Sequence, residues 1–136
     1  MTAKQPVTIL VVDDDYDIRM AVEQCLKETD LRPIVLTAHN AVMGLQLAKN
    51  HVPDVVVLDL QMPMGNGFDF ITELKHDPKL SRVKILIISA TATQSNIWQS
   101  IDKDVDDFLA KPFDILELEA RVRALLNKKQ AGSNTI

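Results

Sequence analysis

The sequence predicts one α/β domain, in which a doubly wound, five-stranded parallel sheet carries helices on both faces. Five short apolar runs alternate along the chain with five stretches that have helical spacing of their apolar residues. Such alternation is typical of parallel sheets built from right-handed crossovers. The 136 residues, 46% of them hydrophobic and 25% charged, suffice for one hydrophobic core but not for two.

The first half of the chain predicts two strands and two helices. Val7–Val12 is apolar and largely β-branched, as expected of a strand buried on both faces, and it ends at three aspartates. Apolar residues at three- and four-residue spacing predict a helix over Tyr16–Thr29. Pro33–Thr37 predicts the second strand, and Asn40–Asn50 predicts the second helix.

The third and fourth strands are predicted by valine- and isoleucine-rich runs. Asp54–Leu58 is the first of these, and a proline and two glycines after it favour a loop. Phe68–His76 predicts a short third helix, which Asp77 and Pro78 terminate. Val83–Ile88 predicts the fourth strand, since five of its six residues are apolar.

The last third predicts two helices around one strand. Thr93–Lys103 has few apolar residues and predicts a weakly amphipathic fourth helix. Val105–Ala110 predicts the fifth strand, and the last helix is expected from the N-cap Asp114 to about Asn127. Residues 1–6 are expected to be frayed, residues 7–127 to form the domain, and residues 128–136 to be a flexible tail or truncated linker.

Composition and charge indicate the cellular compartment of the protein and the classes of partner that it can bind. A net charge of −4 gives no electrostatic reason to expect nucleic acid or a membrane surface as a partner. The single cysteine, Cys25, excludes an intrachain disulfide and favours a reducing compartment. No signal peptide is visible and no apolar run approaches the ~20 residues of a membrane span. These features predict a cytoplasmic domain.

Polar residues lie at the carboxyl ends of four of the five predicted strands. Asp13 and Asp14 follow the first strand, Asp59 the third, Ser89 the fourth and Lys111 the fifth. In open parallel sheets, ligands bind beyond the carboxyl ends of the strands, where the strand order reverses. We therefore expect these five residues to form one site. Alone, each has a simpler interpretation, because aspartates after a strand often form a turn or a helix cap, as Asp15 is expected to do.

The chemistry of this set is that of phosphoryl transfer. Clustered carboxylates repel one another unless a cation lies between them, and carboxylate oxygens suit Mg²⁺, with Mn²⁺ as an alternative. Asp59 offers a carboxylate nucleophile, Lys111 an ammonium and Ser89 a hydroxyl. Phosphoryl transfer requires a nucleophile together with cations and donors that neutralise three equatorial oxygens.

Four segments of the sequence resemble the signatures of response-regulator receiver domains of two-component systems, over about Val7 to Asn127. These segments are Val11-Val12-Asp13-Asp14, Leu58-Asp59-Leu60-Gln61-Met62-Pro63 with Gly67, Ser89-Ala90, and Lys111-Pro112-Phe113. The resemblance implies a flavodoxin-like fold with strand order 2-1-3-4-5. It also implies a phosphoryl group received from a histidine kinase or histidine phosphotransfer protein.

The resemblance assigns a role to each site residue. Asp59 is the implied phosphoacceptor, and Asp13, Asp14, Asp59 and the backbone carbonyl of Gln61 surround Mg²⁺. Ser89 and Lys111 are implied to bind the phosphoryl oxygens, Ser89 and Phe108 to act as the switch, and the Lys111–Pro112 bond to be cis. Phe108 replaces the tyrosine that is frequent in the family, so its switching would depend on packing alone.

The resemblance also bears on assembly and output. Phosphorylation is implied to change the surface of the fourth helix, fifth strand and fifth helix, a surface that could also form a homodimer. The chain has charged residues that resemble part of the dimer face of winged-helix transcriptional regulators, namely Asp106, Asp107, Glu117 and Arg121. Those regulators also carry a basic residue on the fourth helix, and this chain has Ile97 near that position instead. An output domain or a downstream target protein is expected, but the sequence identifies neither.

Three alternatives compete with this interpretation. A haloacid-dehalogenase-like phosphohydrolase needs an aspartate two positions after the nucleophile, where this chain has Gln61, which cannot exchange a proton usefully. A dinucleotide-binding module needs a fuller glycine fingerprint than Gly65-Asn66-Gly67. A receiver-like interaction module without phosphorylation stays open. In the receiver interpretation the domain is not an enzyme, because it promotes only its own phosphorylation and dephosphorylation.

Overall fold

The computed structural model describes residues 6–60, 67–89 and 104–134. In these ranges the strands are β1 (Thr8–Val12), β2 (Ile34–Ala38), β3 (Val55–Asp59), β4 (Lys84–Ser89) and β5 (Asp107–Ala110). The helices there are α1 (Tyr16–Lys27), α2 (Ala41–His51), α3 (Gly67–His76) and α4 (Ile115–Asn134). The helix predicted at Thr93–Lys103 lies outside the described residues, so α4 corresponds to the last predicted helix.

The five strands form one parallel sheet in the order β2-β1-β3-β4-β5, as predicted. The chain leaves β1 to one side to form β2, and it then returns to form β3 on the other side of β1. The strand order therefore reverses between β1 and β3. This is the position where an open α/β sheet leaves a crevice at the carboxyl ends of its strands.

Two hydrophobic layers cover the sheet, because successive side chains of a strand point to opposite faces. On one face, Leu10 and Val12 of β1 belong to a cluster with residues of α2 and α3. On the other face, Ile9 and Val11 belong to a cluster with residues of α1 and α4. The central strands are buried on both faces, which explains why their sequences are continuous apolar runs.

Polar side chains define where three helices begin. Asp15 accepts hydrogen bonds from the backbone N–H groups of Asp17 (2.9 Å) and Ile18 (3.2 Å), and thus caps α1. Asn40 accepts from the N–H of Met43 at 2.8 Å and caps α2. Asp114 accepts from the N–H of Leu116 at 2.8 Å before α4. The predicted capping roles of Asp15 and Asp114 are confirmed.

The structure corrects two predicted boundaries. The last helix continues to Asn134, so the tail predicted from residue 128 is helical for seven residues. The first four of these residues, two lysines, a glutamine and an alanine, have good helix propensity, whereas the glycine, serine and asparagine that follow do not. β5 begins at Asp107 and not at Val105, because the side chain of Asp106 accepts the hydrogen bond of the Ile85 N–H at 2.8 Å.

Candidate functional site

The carboxyl ends of β1, β3 and β4 bring three polar residues of the predicted site into the protein interior. Asp13, Asp59 and Ser89 are all buried, although each is polar or charged. Asp13 follows the last residue of β1, Asp59 is the last residue of β3 and Ser89 the last of β4. Asp14 lies in the loop after β1 and is exposed.

The three aspartates come together as predicted. One carboxylate oxygen each of Asp13, Asp14 and Asp59 can be chosen so that all three lie within 4.8 Å of one another. Two of these carboxylates belong to the adjacent strands β1 and β3, and therefore flank the reversal of strand order. The cluster thus occupies the crevice that the topology creates.

Lys111 reaches this cluster from the end of β5. Its Nζ lies 3.2 Å from Oδ2 of Asp59 and 3.4 Å from Oδ2 of Asp13. Its backbone N–H donates to the carbonyl of Ser89 at 2.9 Å, which fixes the start of the side chain relative to β4. The Lys111–Pro112 peptide bond is cis, as the sequence resemblance implies.

The carboxyl group of Asp13 is held on one side only. Its Oδ1 accepts a hydrogen bond from the backbone N–H of Asp15 at 2.8 Å. Its Oδ2 is fully buried and has no hydrogen-bond donor among the described residues, although the ammonium of Lys111 lies nearby. A buried carboxylate oxygen without a donor is energetically costly, so this oxygen is well placed to receive a cation.

Burial and neighbouring charges change two pKa values in the site. Burial raises the pKa of Asp13 from the ordinary 3.8 to about 6, and the charge of Asp59 adds to this effect. The Asp15 N–H and the charge of Lys111 oppose it. For Lys111, burial alone would lower the pKa, but the charges of Asp59 and Asp13 raise it above 10.5.

This donor set fits a hard divalent cation. Three carboxylates supply oxygen ligands only, which suits Mg²⁺ and Mn²⁺. The buried Oδ2 of Asp13 is oriented for such a ligand, and the exposed Asp14 leaves room for water molecules that Mg²⁺ retains.

Two further site predictions have different outcomes. Gln61, predicted to offer a backbone carbonyl, lies outside the described residues. Phe108 lies in β5 with 44% of its surface exposed, and the backbone carbonyl of Phe108 accepts a hydrogen bond from Arg121 at 3.2 Å.

Arg19 is a residue that the sequence analysis missed. Its Nη1 donates to the backbone carbonyl of Asp13 at 2.8 Å. The sequence offers one indication, since an arginine four residues after a helix cap can fold back towards the loop that precedes the helix.

The site can therefore bind a divalent cation and present a carboxylate nucleophile beside a fixed ammonium group. Asp59 and Asp13 are the two buried carboxylates of the cluster, and both lie close to the Lys111 ammonium. These are the components that phosphoryl transfer to a carboxylate requires.

Comparison with known proteins agrees with this chemistry. The family model of the response regulator receiver domain matches residues 9–123. Response regulator Rre1 of Synechocystis is 32% identical over 130 residues, covering 96% of this chain and 56% of the relative. The KDP operon transcriptional regulatory protein KdpE of Escherichia coli is 35% identical over 123 residues, covering 90% and 52%. The chain thus spans about half the length of these relatives.

Solved structures show the same architecture. The receiver domain of Francisella response regulator 1452 superimposes with a TM-score of 0.78 at 28% identity, covering 90% of this chain and 98% of the other. The matched family range contains the aspartate cluster, Ser89 and Lys111. The chain therefore belongs to the family of response regulator receiver domains, whose function is phosphorylation by a histidine kinase.

Proposed function

We propose that Asp59 is the phosphoacceptor of this receiver domain, and that Mg²⁺ bound by Asp13, Asp14, Asp59 and the backbone carbonyl of Gln61 supports the transfer. The observation that supports this most directly is the position of Asp59. It is a buried carboxylate within the aspartate cluster, and Lys111 Nζ lies 3.2 Å from its Oδ2. Burial of an ionised carboxylate is energetically costly, so its presence in this position favours a chemical role over a packing role.

The transfer moves a phosphoryl group between two side chains. An oxygen of Asp59 forms the new bond to phosphorus, and the bond between phosphorus and the donor's histidine nitrogen breaks. The electron pair of that bond stays on the nitrogen. Bound Mg²⁺ would neutralise charge on the phosphoryl oxygens.

Lys111 and Ser89 complete the binding of the phosphoryl group in this proposal. The ammonium of Lys111 already lies between Asp13 and Asp59, so it can follow negative charge from the carboxylates to the phosphoryl oxygens. Ser89 ends β4, the strand next to β3, and in this proposal its hydroxyl is a second donor to the phosphoryl oxygens. Hydrolysis by water would restore Asp59, so the domain promotes only its own phosphorylation and dephosphorylation.

The product of this chemistry is a changed surface. In this proposal Ser89 and Phe108 transmit phosphorylation to β5 and α4, and the partners are a histidine kinase or phosphotransfer protein and an output domain or target protein. A cytoplasmic location follows from these partners. KdpE is a transcriptional regulator by name, so a DNA-binding output is one option for a longer protein.

The substitution Asp59→Asn tests the phosphoacceptor. With acetyl phosphate and Mg²⁺, the wild-type chain should gain the mass of one phosphoryl group, and Asp59→Asn should gain none, because an amide oxygen is a poor nucleophile. Intact-mass spectrometry measures this. Asp69→Asn, at an exposed carboxyl on α3, is the matched control and should be phosphorylated normally. Undiminished phosphorylation of Asp59→Asn would refute the assignment.

A further inference from the structure

We propose that Arg19 is a positioning residue for divalent-cation binding, because it fixes the backbone of the loop that carries Asp13 and Asp14. The inference rests on the proposed function, since it concerns the same cation site. Arg19 belongs to α1, whereas Asp13 directly follows β1, so a bond between them spans the whole turn.

The carbonyl of Asp13 is held by Arg19 and its N–H by the sheet. Arg19 Nη1 donates to this carbonyl at 2.8 Å, and the N–H of Asp13 donates to the carbonyl of Ala38 at 3.1 Å. Both peptide groups of the residue are thereby anchored. The Asp13 carboxyl extends from this fixed backbone, and its Oδ1 also accepts the Asp15 N–H at 2.8 Å.

Asp14 depends on the same anchor even more strongly. Its carboxylate is exposed and has no hydrogen-bond or ion-pair partner in the described part of the chain. Its position in the cluster is therefore set by the loop backbone. A loop that is free to move would lose the placement of Asp14 first.

Arg19 is itself held in place. Its guanidinium carbon lies 5.6 Å from the centroid of the Tyr16 ring, within the range of a cation–π contact. Its side chain is half-buried, and its backbone N–H donates to the carbonyl of Asp15 at 2.9 Å. An ordered arginine of this kind can hold a carbonyl group at a defined position.

The charge of Arg19 has the opposite effect on a bound cation. A positive group near the aspartate cluster repels Mg²⁺, so its removal by itself would tighten Mg²⁺ binding. Loss of the positioning bond would weaken binding instead. The sign of the change in Mg²⁺ affinity therefore separates positioning from a through-space charge effect.

Calorimetric titration of the chain with Mg²⁺ tests the inference, using wild type, Arg19→Met, Arg19→Lys and Lys27→Met. Arg19→Met keeps most of the side-chain length but has no donor. It should raise the dissociation constant about tenfold, as loss of an outer-shell partner of a metal site commonly does. Arg19→Lys should weaken binding less, because the ammonium can replace one donor. Lys27→Met removes an equal charge from α1, where the ion-pair partner of Lys27 among the described residues is Glu23, and should leave the affinity unchanged.

Four outcomes are decisive. Equal or tighter Mg²⁺ binding by folded Arg19→Met overturns the inference. A lower melting temperature in EDTA with an unchanged dissociation constant also overturns it, since that result indicates a purely structural role. If Arg19→Met does not fold, Arg19→Lys decides, and a dissociation constant equal to that of wild type refutes the inference. If wild type binds no Mg²⁺, or Asp14→Asn binds it normally, the cation site of the proposed function fails instead.

Discussion

At the scale of single residues, Asp13 shows how the fold prepares the site at a cost. Its carboxyl group is fully buried, one oxygen has no donor among the described residues, and Lys111 lies 3.4 Å from that oxygen. Burial raises the pKa of Asp13 to about 6. Ionisation of Asp13 therefore costs more in the folded chain than in water, and this cost lowers the stability of the metal-free fold above pH 6.

This leads to a prediction about pH. In the unfolded chain Asp13 titrates near 3.8, and in the folded chain near 6, so the folded chain binds more protons between these values. The contribution of Asp13 to metal-free stability should therefore fall as pH rises from about 4 to about 6, by about 1 to 3 kcal/mol, and should then stay constant. Mg²⁺ should offset the loss above pH 6.

Urea unfolding in EDTA across this pH range measures the effect, and Asp13→Asn is the comparison because an amide does not titrate. The difference in unfolding free energy between the two proteins should shift in favour of Asp13→Asn as pH rises. Asp30 has a lowered pKa because Arg123 hydrogen-bonds to it, and it contributes equally to both profiles. Parallel profiles would contradict the assignment of the raised pKa to Asp13.

At the scale of elements, helix α2 packs closely against β1 because it carries a glycine. A Cβ atom at Gly44 would lie 2.8 Å from Cγ2 of Val12 and 3.2 Å from Cε2 of Phe70. Val12 immediately precedes Asp13, so this helix supports the last residue of the strand before the site. The absence of a side chain at Gly44 thus sets the distance between α2 and the sheet.

Gly44→Ala tests this packing, because two effects act in opposite directions. Alanine favours the helix by about 1 kcal/mol relative to glycine, but overpacking costs about 1 to 3 kcal/mol. We expect a net loss of about 1 kcal/mol in the free energy of unfolding, measured with urea. Gln46→Ala, at an exposed position of α2, should change it by less than about 0.5 kcal/mol.

A second substitution identifies the contact. Val12→Ala removes the methyl groups that the new Cβ would meet, so the double variant should be more stable than the sum of the two single effects predicts. If Gly44→Ala stabilises the protein, or if the two effects simply add, the proposed contact does not limit the packing.

At the scale of the whole molecule, a continuous set of contacts joins the aspartate cluster to β5 and α4. Ser89 pairs with Ala110 of β5, and the Lys111 N–H donates to the Ser89 carbonyl at 2.9 Å. Arg121 of α4 bonds to Asp107 (2.8 Å) and to the carbonyl of Phe108 (3.2 Å). A shift of Ser89 on phosphorylation can thus reach α4 through β5.

Ser89→Ala tests this transmission separately from the chemistry. The variant keeps the carboxylates and Lys111, so Asp59 should still be phosphorylated. Without the hydroxyl, however, the residue at the end of β4 cannot donate a hydrogen bond to the phosphoryl group. Amide NMR with and without beryllofluoride should show changes extending to Phe108 and α4 in wild type, but confined to the Asp59 pocket in Ser89→Ala.

Ser81→Ala is the matched control, because the Ser81 hydroxyl is exposed and, within the described ranges, bonds to the nearby carbonyl of Pro78 alone. It should show the same long-range changes as wild type. Equal long-range changes in Ser89→Ala and wild type would exclude the switch role of Ser89.

The sequence by itself determined the type and order of the described elements and the main residues of the site. The central strands are buried on both faces, so their apolar runs are visible without a structure. Parallel strands place their carboxyl ends at one edge, so Asp13, Asp59, Ser89 and Lys111 could be assigned to one site from their positions alone. Both inferences start from local sequence patterns, and the connectivity of a parallel α/β fold then places the strand ends at one edge of the sheet.

Only the tertiary structure decided how these residues contact one another. Lys111 lies between Asp13 and Asp59, although 52 residues separate it from Asp59 in the sequence. Three further contacts likewise have no periodic signature: the bond from Arg19 to the Asp13 carbonyl, the contact of Gly44 with Val12, and the bond from the Ile85 N–H to Asp106 just before β5 begins. Such contacts depend on distances of a few ångströms between side chains and backbone, which strand and helix patterns do not specify. The extension of α4 beyond Asn127 differs, since Lys128 to Ala131 have good helix propensity although they do not continue the periodic pattern of apolar residues.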